Sequence, residues 1–153
     1  MQRILFVCLG NICRSPSAEA VMRAKAPHLS LDSAGTAGHH TGDPPYGPMQ
    51  QAAKARGVDL SDLRARQFTA ADFANFDLIV TMDAENAANI ERLRPAANTT
   101  PVMLFTQAIG QDKPVPDPYY TRDFNACLDL IERCADGLIA SLNLSRTAPA
   151  PTR

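Results

Sequence analysis

The residues with the clearest chemical potential lie near the start of the chain, where Cys8 is followed six positions later by Arg14. The apolar residues 4–7 predict a buried strand, and the Ser-Pro pair at 15–16 predicts the start of a helix. A turn between a strand and a helix N-terminus gathers backbone N–H groups and favours negative charge. This setting favours a thiolate and predicts a site for a phosphate-like anion, with Arg14 holding two of its oxygens.

A nucleophilic sulfur beneath such an anion favours phosphoryl transfer through a phosphocysteine. The leaving oxygen then needs an acid, and a carboxylic acid on a loop can protonate it and later activate water as a base. Asp117 is the candidate, because prolines restrict the backbone on both sides of it and Tyr119-Tyr120 follow. These residues together predict a cysteine-dependent phosphatase.

Three segments carry a resemblance to a known family: CLGNICRS from Cys8, the sequence DSAG at 32–35, and DPYY from Asp117. Together they resemble the low-molecular-weight protein tyrosine phosphatases, over roughly residues 3–142. The Cys-x5-Arg spacing alone is weak, since rhodaneses and unrelated phosphatases share it, but the extended string is specific. The resemblance implies hydrolysis of phosphotyrosine and small aryl phosphate monoesters, with Cys8 as nucleophile, Arg14 as phosphate ligand and Asp117 as general acid and base. No cofactor and no metal are expected.

The resemblance also implies the roles of residues around the cysteine. Asn11 is expected to hydrogen-bond to Ser33, which keeps the loop preformed, and Ser15 to donate to the Cys8 sulfur. Cys13 is expected to form a reversible disulfide with Cys8 under oxidant. Members with threonine at the position of Ile12 resemble protein arginine phosphatases, so isoleucine favours phosphotyrosine. The expected phosphate-binding loop comprises Leu9, Gly10, Asn11, Ile12, Cys13 and Ser15.

The rim of the expected cleft departs from the family pattern. His39 stands at the estimated position of a large aromatic wall residue, while Tyr119 and Tyr120 are expected to line the cleft. Leu63 stands where many relatives have a histidine, which is understood to pair with the aspartate matching Asp83. Asp83 must therefore find another partner or act mainly as a helix N-cap.

Apolar segments alternate with helical patterns along the chain, and two long loops are rich in glycine, proline or aspartate. Strands that alternate with helices predict a parallel sheet covered on both faces, with ligands beyond the carboxyl ends of the strands. The resemblance implies a three-layer α/β fold with four parallel strands in the order 2-1-3-4. The expected strands are 3–8, 29–34, 77–82 and 102–105; the expected helices are 15–26, 49–56, 83–93 and 123–144, with a helix start at 69–73; the loops are 35–48 and 110–120.

Composition sets the remaining expectations. The 153 residues predict a single phosphatase domain at 1–144 and a disordered tail at 145–153. With 15 Lys plus Arg against 16 Asp plus Glu, no overall basic field favours nucleic acid or a membrane. No signal peptide or spanning segment is predicted, and a cytoplasmic monomer or weak dimer is expected. Its expected partners are phosphotyrosine proteins or peptides and a tyrosine kinase acting on Tyr119 or Tyr120.

Two alternative functions remain open from the sequence. A thioredoxin-type arsenate reductase would need two further cysteines, and Cys127 and Cys134 have a suggestive separation. They follow Asp117, however, whereas the reductase pair precedes the acid. They can equally be small buried residues on one face of a helix. A catalytically inactive phosphotyrosine-binding module is the second alternative, and the presence of Cys8, Arg14 and Asp117 argues against it.

Overall fold

Four strands and six α-helices build the protein, as a computed structural model that describes residues 2–147 shows. The strands form one sheet in the order β2-β1-β3-β4, with every neighbouring pair parallel. The elements are β1 (Arg3–Cys8), α1 (Arg14–Lys25), β2 (Ser30–Gly35), α2 (Gly47–Lys54), α3 (Asp72–Asn75), β3 (Leu78–Thr81), α4 (Ala84–Glu91), β4 (Val102–Leu104), a 3-10 helix (Phe105–Ile109), α5 (Pro118–Thr121) and α6 (Phe124–Thr147). The predicted fold class and strand order are confirmed.

The central strand β1 is buried on both faces because its alternate side chains enter two different cores. Ile4 and Phe6 join the larger cluster, which includes residues of α1, α2 and α6. Leu5 and Val7 join a smaller cluster with residues of α3 and α4. Helices therefore cover both faces of the sheet, as the alternation of strands and helices predicts.

The carboxyl ends of the strands meet at one edge. Cys8 ends β1 directly beside Gly35 at the end of β2, and Val7 pairs with Thr81 at the end of β3. The segments that follow these three strands therefore start from neighbouring points. Within the described residues, no helix is long and apolar enough to cross a membrane.

The structure adds two short helices that the sequence patterns did not predict. The 3-10 helix follows β4 and ends at Gly110, whose φ of 74° is the left-handed conformation that glycine adopts readily. The helix α5 lies inside the predicted loop 110–120 and is four residues long. The long helix α6 continues to Thr147, so residues 145–147 of the expected tail are helical. Residues 148–153 lie outside the described part of the chain.

Close packing of α6 depends on a residue without a side chain. A Cβ placed on Gly137 would overlap the carbonyl oxygen of Ala108 and come within 3.0 Å of Ile109 Cγ2. The 3-10 helix can therefore lie directly against the backbone of α6. A backbone carbonyl cannot rotate away as a flexible side chain does, so this contact tolerates no added atom.

We expect Gly137→Ala to lower the free energy of unfolding by about 1–2 kcal/mol, because overpacking outweighs the roughly 1 kcal/mol that alanine contributes to helix propensity. Urea denaturation measures the change. Gly47→Ala at the start of α2 is the matched control, since its added Cβ would meet no described atom within 4 Å. Equal stability of the two variants would contradict the packing argument.

Candidate active site

The loop from Cys8 to Arg14 turns on Asn11, a non-glycine residue with a φ of 57°. Asparagine tolerates this left-handed conformation better than most residues. The turn brings the Asn11 backbone N–H to 3.3 Å from Cys8 Sγ. An N–H group therefore already points at the sulfur in the folded loop.

The carbonyl groups of the loop accept hydrogen bonds from the segment that follows β2. Thr36 N–H donates to the Cys8 carbonyl, Ala37 N–H to that of Leu9, and Tyr46 N–H to that of Ile12, at 2.8–2.9 Å. These bonds fix which way the peptide groups of the loop face. The loop is thus preformed by backbone contacts.

A close backbone approach allows this support. A Cβ on Gly35 would lie 2.8 Å from the Leu9 carbonyl oxygen and 3.1 Å from the Asn11 nitrogen. Only glycine fits at this position without moving the loop. The last residue of β2 is therefore as important to the loop as the loop residues themselves.

Side-chain hydrogen bonds connect the cysteine to β2. Ser15 Oγ lies 3.0 Å from Cys8 Sγ, and Asn11 Nδ2 donates to Ser15 Oγ at 2.7 Å and to Ser33 Oγ at 3.0 Å. The Asn11 Oδ1 atom accepts from the Arg66 backbone N–H at 3.0 Å. The contacts that the family resemblance implies for Asn11, Ser15 and Ser33 are therefore present.

Arg14 is buried with two carboxylates and a carbonyl. Its Nη1 donates to Asp83 Oδ2 at 2.9 Å and to the Val115 carbonyl at 3.0 Å, and its Nη2 donates to Asp117 Oδ2 at 3.3 Å. Burial opposes the charge, but Cys8, Asp83 and Asp117 outweigh it and raise the pKa of the guanidinium above its ordinary value. The site thus holds a permanent positive charge beside Cys8.

Asp83 has both of the functions that its sequence position left open. One carboxylate oxygen accepts from Arg14, and the other caps α4 by accepting from Asn86 N–H at 2.8 Å. Leu63, at the position of the family's histidine, packs against the larger core instead. The aspartate therefore contacts Arg14 directly.

Asp117 begins α5, where its Oδ1 accepts from Tyr119 N–H at 3.0 Å. The short helix presents two exposed tyrosines in edge-to-face contact, with ring centroids 5.4 Å apart. Tyr119 also packs on Tyr46 at 5.1 Å. The capping hydrogen bond therefore fixes the position of the Asp117 carboxylate and the start of the helix that carries the two tyrosines.

A single cleft of about 340 Å³ joins these groups. Its lining includes His39 and His40, whose rings are 4.5 Å apart, and Asp117 with its two tyrosines. His40 Nδ1 lies 3.2 Å from Asp43 Oδ2, which anchors its ring. The sequence-predicted residues that line the cleft are Cys8, Leu9, Gly10, Ile12, Cys13, Arg14, His39, Asp117, Tyr119 and Tyr120.

All four cysteines, Cys8, Cys13, Cys127 and Cys134, are free and buried. Burial raises the pKa of Cys127 to about 12 and that of Cys134 to about 11. Burial also raises the pKa of Cys13 strongly, and the neighbouring Cys8 and Asp117 add to the effect. Cys13 lines the cleft with Cys8, whereas neither cysteine of α6 is among the residues that line it, and this placement does not favour a reductase relay.

Sequence reasoning missed several residues that contact the site. Val115 contributes only its carbonyl, which no side-chain pattern can reveal. His40 lines the cleft beside His39, although only one of the pair was assigned to the wall. Glu19, buried on α1, accepts a hydrogen bond from Ser33. Glu19 is the single acidic residue of α1, and that was the available signal for the contact.

The model of the family described as low molecular weight phosphotyrosine protein phosphatase matches residues 3–148. The chain belongs to this family. The Streptomyces coelicolor low molecular weight protein-tyrosine-phosphatase is 40% identical to this phosphatase over 153 residues, covering 92% of this chain and 93% of that protein.

Solved structures agree with this assignment. The crystal structure of YfkJ from Bacillus subtilis superposes with a TM-score of 0.89 at 36% identity, covering 96% of this chain and 98% of that chain. Vibrio vulnificus Wzb, solved in complex with benzylphosphonate, gives 0.84 at 32% identity, covering 92% and 98%. As a member of the family, this phosphatase is an enzyme that hydrolyses phosphotyrosine, and its substrates are phosphoproteins.

Variants at Asp83 separate its two contacts. Asp83→Asn and Asp83→Ala both remove the ion pair and are each expected to destabilise the fold, because a buried Arg14 loses one of its charged partners. Only alanine also loses the N-cap, so we expect it to cost about 1 kcal/mol more than asparagine in urea unfolding. Equal losses in the two variants would show that the cap to Asn86 contributes no stability.

Proposed function

We propose that this phosphatase works through a phosphocysteine on Cys8, with Arg14 binding the phosphate and Asp117 acting as general acid and then general base. The observation that carries the proposal is the convergence of these three side chains in one cleft, with Arg14 hydrogen-bonded to Asp117. The loop 9–15 binds the three phosphate oxygens through its backbone N–H groups and the Arg14 guanidinium.

The chemistry proceeds in two displacements at phosphorus. Cys8 Sγ attacks as the bond to the tyrosyl oxygen breaks, and Asp117 gives its proton to that oxygen so that a neutral phenol leaves. Asp117 then accepts a proton from water, whose oxygen attacks phosphorus and releases the Cys8 thiolate with inorganic phosphate. Arg14 keeps its contact to Asp83 throughout, while its Nη2 turns from Asp117 to the phosphate.

The proposed substrate is a phosphotyrosine side chain, with small aryl phosphates as surrogates. The ring of the substrate lies between the His39–His40 side and Tyr119, and the open rim accommodates the rest of a protein chain. Wzb in complex with benzylphosphonate supports this choice, because that ligand joins an aromatic ring to a phosphate-like group. Histidine in place of a larger aromatic residue at position 39 gives weaker apolar contact with the ring.

The cellular setting is also part of the proposal. A reducing, cytoplasmic compartment suits an enzyme whose nucleophile must remain a free thiol. Tyr120 is 71% exposed beside the cleft, which supports it as a target for a tyrosine kinase. We propose a monomer or weak dimer that binds neither nucleic acid nor a membrane, in line with the net charge of -1.

Substitutions at Cys8 and Asp117 test the two central assignments on phosphotyrosine peptides and p-nitrophenyl phosphate. Cys8→Ser is expected to abolish turnover of both. Asp117→Asn preserves the capping geometry and is expected to lower kcat on the peptide by about 10²–10⁴-fold. The loss should be smaller on p-nitrophenyl phosphate, whose leaving group needs less protonation.

Tyr120→Phe is the matched control. It leaves the side chains of Cys8, Arg14 and Asp117 in place and should retain turnover of p-nitrophenyl phosphate. Normal turnover by Cys8→Ser would disprove the covalent mechanism. An Asp117→Asn enzyme with unchanged kcat on the peptide would remove Asp117 from the acid role.

Peroxide tests the role proposed for Cys13. Hydrogen peroxide oxidises Cys8 to a sulfenic acid with release of water; the Cys13 thiol then attacks that sulfur, forms the disulfide and releases a second water. Without the disulfide, excess peroxide oxidises the sulfenic acid further to sulfinic and sulfonic acids, which dithiothreitol does not reduce. After excess peroxide we therefore expect dithiothreitol to restore the wild-type enzyme but not Cys13→Ser. Cys127→Ser is the control and should recover as the wild type does. Recovery of Cys13→Ser to the same extent would exclude a protective disulfide.

A further inference from the structure

Glu19 is a buried carboxylate that the proposed chemistry does not use. Its side chain on α1 is only 5% exposed, although charged residues are rarely buried to this extent without a partner. One oxygen accepts a hydrogen bond from Ser33 Oγ at 2.7 Å, and the other accepts from Arg23, one turn further along the same helix. The residue therefore contacts β2 directly below the cysteine loop.

These contacts extend a continuous hydrogen-bond chain from Glu19 to the nucleophile. Ser33 donates its only hydroxyl proton to Glu19, so its oxygen must accept from Asn11 Nδ2. The second proton of that amide goes to Ser15 Oγ. The amide cannot turn over without losing the Arg66 N–H bond to Asn11 Oδ1. Ser15 Oγ, which already accepts from Asn11, lies 3.0 Å from Cys8 Sγ and is placed to donate its hydroxyl proton to a thiolate there.

We propose that Glu19 is a positioning residue: as an ionised carboxylate held by Arg23, it fixes the direction of this chain so that Ser15 donates its proton to the Cys8 thiolate. The inference rests on the proposed function, because it takes Cys8 as the nucleophile. Within this hydrogen-bond chain Glu19 contacts only Ser33. Its effect on the pKa of the Cys8 thiol therefore passes through Asn11 and Ser15.

Charges around Glu19 decide whether it can keep this role. Burial raises its pKa above the ordinary value, the bonds from Ser33 and Arg23 lower it, and the charge of Asp32 on β2 raises it. Asp32 is itself paired with Arg66 at 3.0 Å. Arg23 is thus the cation bonded to the carboxylate. A protonated Glu19 can donate to Ser33 and so remove the acceptor on which the chain depends.

The pH dependence of Cys8 alkylation by iodoacetamide tests the proposal, with the modified residue identified by mass spectrometry. We expect Glu19→Leu to raise the midpoint by about one pH unit, as loss of one charge-assisted hydrogen bond to the thiolate would. The sign of the shift is decisive. If Glu19 acted only through space, removing its negative charge would lower the midpoint. An unchanged or lowered midpoint would overturn the proposal.

A double variant separates the chain from general disruption of the loop. In a Ser15→Ala background the chain has lost its last link, so Glu19→Leu should raise the midpoint no further, and only the through-space effect, which lowers it, remains. A further rise in that background would overturn the proposal, because it would show an upward effect that bypasses Ser15. Glu91→Leu on α4 is the matched control, because Glu91 also pairs with an arginine, Arg94, but lies outside the hydrogen-bond chain. The midpoint of Cys8 alkylation in this variant should equal that of the wild type.

Arg23→Met keeps the test decisive if Glu19→Leu does not fold. Without Arg23 the pKa of Glu19 rises further, so lowering the pH protonates Glu19 in this variant before it does so in the wild type. We expect the rate of Cys8 alkylation, relative to the wild type, to fall as the pH is lowered and to approach the wild-type rate as the pH is raised. A relative rate that does not change with pH would overturn the proposal. Alkylation requires no phosphate hydrolysis, so this result is independent of whether the proposed phosphatase mechanism holds.

Discussion

The left-handed backbone of Asn11 is the constraint on which the site depends. At this residue the chain reverses between β1 and α1, and its own N–H group turns toward Cys8 Sγ. The side chain of the same residue bonds to Ser15, Ser33 and the Arg66 backbone, so it holds the turn that its backbone makes. Because the loop is held by the fold, the N–H groups proposed to bind phosphate are in place before it arrives, and the cost of ordering them has been met during folding.

A buried guanidinium imposes the second constraint. Arg14 needs negative partners because an unpaired buried charge costs several kcal/mol. The structure supplies Asp83 after β3 and Asp117 before α5, so the same ion pairs that allow Arg14 to be buried also bring the proposed acid to the cleft. Stability and the proposed chemistry therefore share one set of contacts, and ion pairs of Arg14 tie the loop before α5 to the loop that follows β1.

Much of the framework could be predicted from local patterns. Buried strands such as β1 and β3 are short apolar runs bounded by polar residues, and α6 carries apolar residues at helical spacing, so their positions follow from periodicity. The short helix α5 could not be read in this way, because four residues hold no periodic pattern and its start depends on capping by Asp117. The helical residues 145–147 were assigned to a tail on composition, although the helix continues through them.

The sequence by itself determined the chemistry of the site, since a cysteine, an arginine and glycine-asparagine turn residues at these spacings specify an anion loop at the end of a strand. It also showed that Asp83 lacked the family's histidine. Only the tertiary structure decided what Asp83 contacts, which atoms bind Arg14, and that Glu19 is joined to the cysteine through Ser33. The physical reason is that spacing along the chain determines local turns and helices, whereas hydrogen bonds and ion pairs between residues far apart depend on how the sheet and its helices pack.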